Sequence, residues 1–382
     1  MTRTRELVLL GILALLAGGC GAPPAGASPS PTPAASALRS GGTPTSSARG
    51  AVASATERDI AAPCIAGGPT VAGDAVLWTA CESMTGVVRG PAQILEYQLS
   101  SGTKRVLHTA SRTPPGVISL LRASDAWIMW AEYTDFQRAS DTKIYAQRRS
   151  GGDPVLLDDA SRYGPLANLM ETALDGSEAY WSRPLIESGI WHGLLMHRTL
   201  PDGAPEIALT APVGSIITWP SVRDGAIAYE RSSQTASPQT RVVLRSRDGT
   251  EREIGDGPSS EPSLGDGFVA FKQAERFSTG ELGAFVSSTG KVMTLGAGEA
   301  PVAFGGFVTW KPTTPTDSVL RLAAPLSGCV NRLGDLEVPI GFPTIGHTVL
   351  AWTHTDLTLP PGPTALRIRY ASVEAMAATP CK

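Results

Sequence analysis

His192 and His197, five residues apart, are the nearest this 382-residue chain comes to a ligating or proton-transferring pair. Imidazoles are common metal ligands and general bases near neutral pH. On a strand, however, an odd separation sends two side chains to opposite faces, so this pair is not expected to share a metal. Ser288-Thr-Gly-Lys291 has the spacing of a Ser-x-x-Lys nucleophile, but its glycine and its place between two strand-like segments read as a tight turn. No Gly-x-Ser-x-Gly elbow, phosphate loop or calcium loop is present. The five cysteines form no Cys-x-x-Cys and no Cys/His cluster, so neither a metal nor another cofactor is expected. What remains are residues suited to contact: Tyr133, Asp135, Phe136, Arg183, Glu187, Trp191 and His192 mix aromatic anchors with charge, as a binding patch does.

The elements that must position these side chains recur along the chain. Trp78, Trp130, Trp181, Tyr229, Phe271, Trp310 and Trp352 follow one another at intervals of 39 to 52 residues, each after a small turn and a short apolar strand. Four strands per period of this length, a to d, are what a β-propeller blade requires. Strand b carries the aromatic, which is expected to fill the space between neighbouring blades rather than to form a stacking platform for sugars. Tight c-to-d turns are written at Ser100-Ser-Gly102, Ser150-Gly-Gly152, Pro201-Asp-Gly203, Arg247-Asp-Gly249, Ser288-Thr-Gly290 and Ser327-Gly328. No segment of twelve or more residues keeps a helical period. The expected fold is all-β, a seven-bladed propeller of four-stranded antiparallel blades.

The seventh unit stops after Ala365-Leu-Arg-Ile-Arg-Tyr370 and lacks strand d. Thr56-Glu-Arg-Asp-Ile60 matches Thr250-Glu-Arg-Glu-Ile254, strand d of the fourth unit, so an N-terminal strand is expected to complete the last blade and close the ring. The b-to-c connections read as long, irregular loops, among them Glu132 to Thr142 and Arg183 to Gly189, and share one face with the d-to-a connections. Binding is expected on that face, with Tyr133 through His192 in the neighbouring loops of blades two and three. The topology also selects cystines: Cys64 with Cys81 at the first blade, and Cys329 with Cys381 pinning the C-terminal tail, with Cys64 to Cys381 as the rival pairing.

The N-terminus has a basic start, an apolar run from Leu7 to Ala17 and then Gly18-Gly19-Cys20. The run is too short to span a bilayer and reads as an export signal. Its end resembles a bacterial lipobox, although Ala17 stands where that pattern usually has Leu; the resemblance implies cleavage before Cys20 and lipid on that residue. Residues 1–19 are therefore expected to be a signal peptide, 20–55 a disordered Pro/Ala/Ser/Gly-rich tether, and 56–382 the propeller with its tail. Without residues 1–19 the chain has 30 basic and 34 acidic groups, a balance that argues against nucleic acid as partner.

Residues 56 to 373 resemble the bacterial TolB-like and WD-repeat-like propellers, through the Pro or small residue opening strand a, the Gly/Asp turn, the strand-b aromatic and the Ser/Asp-Gly turn before strand d. The Trp-Ser-Pro-Asp-Gly phrase of TolB-like repeats and the Gly-His and Trp-Asp pairs of WD repeats are missing. The resemblance implies a protein-binding scaffold or, less often, a small-molecule or glycan site at one face. Together with the export signal, the expected role is non-enzymatic binding of a protein or cell-envelope polymer outside the cell membrane. Two other readings are a propeller enzyme acting on glycan or peptide, which needs clustered carboxylates at its funnel, and a small-ligand sensor, which needs a deep apolar pocket.

Overall fold

The structure, a computed structural model, describes residues 58–62, 65–80, 83–85, 87–89, 92–110, 116–134, 141–163, 170–234, 239–275, 278, 280–311, 320–332, 343–355 and 366–374. The chain divides into two units, Met1–Gly50 and Ala51–Lys382, and every described residue belongs to the second. The expected signal peptide and tether, Cys20, Cys64, Cys81, Cys381, Asp135 and Phe136 lie outside the described residues.

The described residues form seven four-stranded antiparallel blades. A single strand, β1 (Arg58–Ala61), precedes the first blade, which comprises β2 (Ile65–Ala72), β3 (Ala75–Ala80), β6 (Gln93–Gln98) and β7 (Thr103–Thr109). A small hairpin, β4 (Ser83–Thr85) and β5 (Val87–Arg89), interrupts its b-to-c connection. Blade two is β8 (Val117–Ala123), β9 (Trp127–Tyr133), β10 (Lys143–Arg148) and β11 (Val155–Asp159). Blade three is β12 (Thr172–Asp175), β13 (Glu178–Glu187), β14 (Ile190–Thr199) and β15 (Glu206–Thr210). Blade four is β16 (Ser215–Arg223), β17 (Ala226–Ser233), β18 (Thr240–Arg245) and β19 (Glu251–Ile254). Blade five is β20 (Ser260–Gly265), β21 (Phe268–Lys272), β22 (Glu281–Val286) and β23 (Lys291–Ala297). Blade six is β24 (Glu299–Phe304), β25 (Phe307–Lys311), β26 (Arg321–Ala324) and β27 (Cys329–Arg332). Blade seven takes β28 (Thr344–Ile345), β29 (Val349–Thr355) and β30 (Leu366–Ser372) and is completed by β1.

Successive first strands touch from β2 round to β28, and β28 touches β2, so the ring is closed. The core is divided among the gaps between blades. Each of seven apolar clusters contains one member of the repeated aromatic series: Trp130 lies between blades one and two, Trp181 between two and three, and so on to Trp78 between seven and one. All seven are fully or almost fully buried. A flat ring wedged between two sheets buries both of its faces, which is why the period of the sequence is an aromatic period.

β1 joins β30 in the register Arg58↔Tyr370 to Ala61↔Arg367, and Ile60 is buried in the cluster of Trp78. Asp59 accepts from Arg369 Nε at 2.8 Å and lies 3.2 Å from His354 Nε2. Burial alone would raise the Asp59 carboxyl, but Arg369 and then His354 outweigh it and hold it below the ordinary carboxylate range. The closing strand is thus fixed by backbone pairing, one core side chain and one ionised carboxylate.

The innermost strands hold a feature the sequence reading placed differently. Pro220, expected to open its strand a, lies within it as the second residue of a β-bulge opposite the strand-b aromatic, as do Pro262 and Pro301, whereas Pro343 directly precedes β28 as expected. The first bulge residue is left-handed: Leu120, Trp219, Glu261 and Ala300 have φ of 53, 50, 56 and 46°. A bulge leaves one residue without a ladder partner, and a proline in it has no N–H to leave unsatisfied. Blade three lacks the bulge, and Thr172 pairs directly with Trp181.

Candidate binding face

In each blade the a-to-b and c-to-d turns emerge on one face and the b-to-c and d-to-a connections on the other. On this second face blade three departs from expectation. Arg183 to Gly189 is not an irregular loop: β13 and β14 continue as a hairpin of two ten-residue strands, paired from Glu178↔Thr199 to Glu187↔Ile190. Only Ser188 and Gly189 turn the chain, with φ of 52 and 81°, the left-handed pair of a type I′ turn whose twist matches the strands. Sequence reading missed this because Ser-Gly flanked by Glu and Ile carries only a weak hairpin signal.

The hairpin forms a braced ridge. Gln234, from blade four, accepts from Trp191 N at 2.9 Å and donates Nε2–H to Gly189 O at 2.9 Å. Gly214 N donates to Trp191 O, Ala211 N donates to Gly193 O, and one parallel pair, His192↔Ser215, joins β14 to β16. Gly193 permits this contact, since a Cβ there would lie 2.5 Å from Ile217 N. Along the crest Ile190 is 43 % and Val213 is 74 % exposed, and Trp191 is half-buried beside them. The arrangement can offer apolar surface on a rigid base, with little ordering left for binding to require.

The residues expected to form the patch divide. Glu187, Trp191 and His192 sit together on the ridge, with Glu187 Oε2 4.0 Å from His192 Nε2. Arg183 is lower on β13 and is turned to blade two, where Nε and Nη2 donate to Asp158 Oδ2 at 2.9 and 2.7 Å. Tyr163 and Trp181 donate to the same carboxylate, and the guanidinium lies 4.5 Å from the Tyr163 ring, so Arg183 ties two blades together. Tyr133 is buried at the end of β9; burial pushes its phenol up to about 12, against a hydrogen bond with Ser119. His197, at the far end of β14, lies between Glu178 and Glu206, away from His192. Cys329 opens β27 and is disulfide-bonded.

A charged arc near the start of the inner strands of blades four to six was not foreseen. Glu230 accepts from Thr218 Oγ1 and from Glu261 N; Glu261 accepts from Lys272 Nζ at 2.5 Å and from Ala300 N at 2.7 Å; Glu299 accepts from Lys311 at 2.8 Å. Glu230, Lys272 and Lys311 each follow the strand-b aromatic directly, and that position is the signal that could have revealed the arc. Each carboxylate is engaged with donors of a neighbouring strand or blade, so the arc's chemistry is that of a brace. Among the described residues no group of three or more His, Cys, Asp or Glu side chains is arranged to hold a metal ion.

No family model matches the chain, and no curated protein matches it. Solved structures do. The β-propeller domain of the Trilobed protease from Pyrococcus furiosus, which has an open velcro topology, aligns with a TM-score of 0.51 at 12% identity, over 71% of this chain and 82% of that one. The Pyrococcus horikoshii acylaminoacyl peptidase aligns with a TM-score of 0.54 at 11% identity over 77% of this chain, which spans 49% of the peptidase. TolB from Acinetobacter baumannii aligns with a TM-score of 0.41 at 11% identity, over 78% and 80% of the two chains. At such identities the likeness is one of fold: this chain contains a β-propeller domain.

Proposed function

We propose that the protein is a lipid-anchored, extracytoplasmic propeller that binds a protein or cell-envelope polymer through its b-to-c loop face and catalyses no reaction. The observation that carries this reading is the braced ridge of blades three and four, where Ile190 and Val213 stand exposed beside Trp191 on a preorganised hairpin. Exposed apolar side chains on a rigid, hydrogen-bonded base are the usual centre of a contact patch. Two further features agree with it. The buried carboxylates of the inner arc are committed to donors, unlike a general acid and base awaiting substrate. In addition, β1 runs from the turn face toward the loop face, so Arg58, at its start, lies on the side opposite the ridge.

Affinity capture from the native envelope tests the reading, with the wild-type chain compared with Ile190→Asp/Val213→Asp. The expected result is a partner retained by the wild type and lost from the double variant, whose melting temperature should stay within a few degrees because both positions are exposed. Equal capture by the two chains would remove the ridge from the interface. The anchor has its own test: Cys20→Ser is expected to move the protein from the membrane to the soluble fraction, and its retention in the membrane would refute lipidation.

A further inference from the structure

His197 on β14 has a carboxylate at each ring nitrogen. Nε2 is 2.5 Å from Glu178 Oε2 on β13, and Nδ1 is 2.9 Å from Glu206 Oε1 on β15, while the ring lies tilted against Tyr180 with centroids 4.6 Å apart. Ionised carboxylates accept and cannot donate, so both contacts are hydrogen bonds only when both ring nitrogens carry protons. When doubly protonated, the ring stitches three strands of blade three. The strand it retains is the outermost: β15 has five residues and Ile207 is 56 % exposed. Its backbone pairing to β14 is broken by a bulge between Leu195 and Met196.

We propose that His197, Glu178 and Glu206 form a pH-operated latch that holds the rim strand β15 on blade three and lets it go when the imidazole loses a ring proton. The groups facing the ring are Glu178 and Tyr180 from β13 and Glu206 from β15; Asp175, at the end of β12, bears on Tyr180, and Arg198 turns away to donate to Pro201 O. Thr199 and Ser177 also donate to Glu178. Burial alone would raise the Glu178 carboxyl, but His197 and Thr199 hold it below the ordinary range, so its share of the latch is lost only as pH falls through that lowered value. The imidazole acts in the other direction: its contribution is present while both ring nitrogens carry protons and fades when one proton is lost. A neutral ring turns a lone pair toward one carboxylate. Glu206, 69 % exposed against 37 % for Glu178, is the one free to leave for water. Beyond β15 the chain continues to Ala211, which bonds Gly193 O, so release also loosens the strip beside the ridge.

The test is amide hydrogen exchange of β15 across the imidazole titration, corrected for the intrinsic pH dependence of exchange, with the His197 ring followed by NMR. Protection of the β15 amides should fall about tenfold as the ring deprotonates, which is the loss of one charge-assisted hydrogen bond, while amides of β18 stay constant. In His197→Gln and in Glu206→Gln, β15 protection should be low already on the acid side and independent of pH. Unchanged β15 protection through the wild-type ring titration would overturn the latch without reference to any variant. A wild-type pH profile surviving in His197→Gln would overturn it equally.

Discussion

Replacing Glu261 by Ala is expected to lower the unfolding free energy by about 3–5 kcal/mol, read from urea denaturation. The substitution strips the carboxylate from Lys272, whose ammonium is buried 2.5 Å away, and removes the acceptor of Ala300 N. An isolated ammonium in that setting has neither water nor a counter-charge. The positive φ of residue 261 is as awkward for Ala as for Glu, so backbone strain does not explain the loss. Lys272→Met in the Glu261→Ala background should recover all but the cost of the unpaired Ala300 N–H, about 1–3 kcal/mol. A double variant no more stable than Glu261→Ala would show that the stranded ammonium is not the cause.

Trp181→Ala is the second large effect, at about 3–5 kcal/mol in the same measurement. The indole sits in the cluster of Met129, Ile144, Met170 and Met196, between two blades that cannot close over the gap without breaking their own pairing. Its Nε1–H also donates to Asp158, which retains Arg183 and Tyr163 in the variant, so the packing loss dominates. Trp191→Ala on the ridge makes the contrast. Its indole is half-buried and its bonds to Gln234 and Gly214 are made by backbone, so it should cost well under half as much as Trp181→Ala. Equal losses at the two tryptophans would mean that the ridge is part of the core and not a surface available to a partner.

These two tryptophans show how much of the molecule could be read from the chain. Trp181 belongs to a series, and its burial follows from membership in that series together with the glycine turns that punctuate it. Trp191 belongs to none. Aromatic and charged residues near a turn resemble a contact patch, which in the sequence joins it to Tyr133 and Arg183, but only Glu187, Trp191 and His192 share the ridge. Tyr133 is buried, and Arg183 is committed to Asp158, a partner 25 residues earlier on another blade. The closing strand was legible for a different reason: Arg-Asp-Ile at 58–60 repeats Arg-Glu-Ile at 252–254, and a blade short of one strand demands a donor.

The chain by itself determined the number of blades, the position of the ring aromatics and the strand that closes the circle, because each depends on local turn chemistry and on a period written in the sequence itself. Tertiary structure alone decided which charges meet. Glu230, Glu261 and Lys272 are spread over 42 residues and come together because adjacent blades bring the starts of their inner strands side by side. It also decided that β13 and β14 run on past the blade into a ridge, since that extension is held by Gln234 and by the approach of β16, contacts that no local pattern encodes.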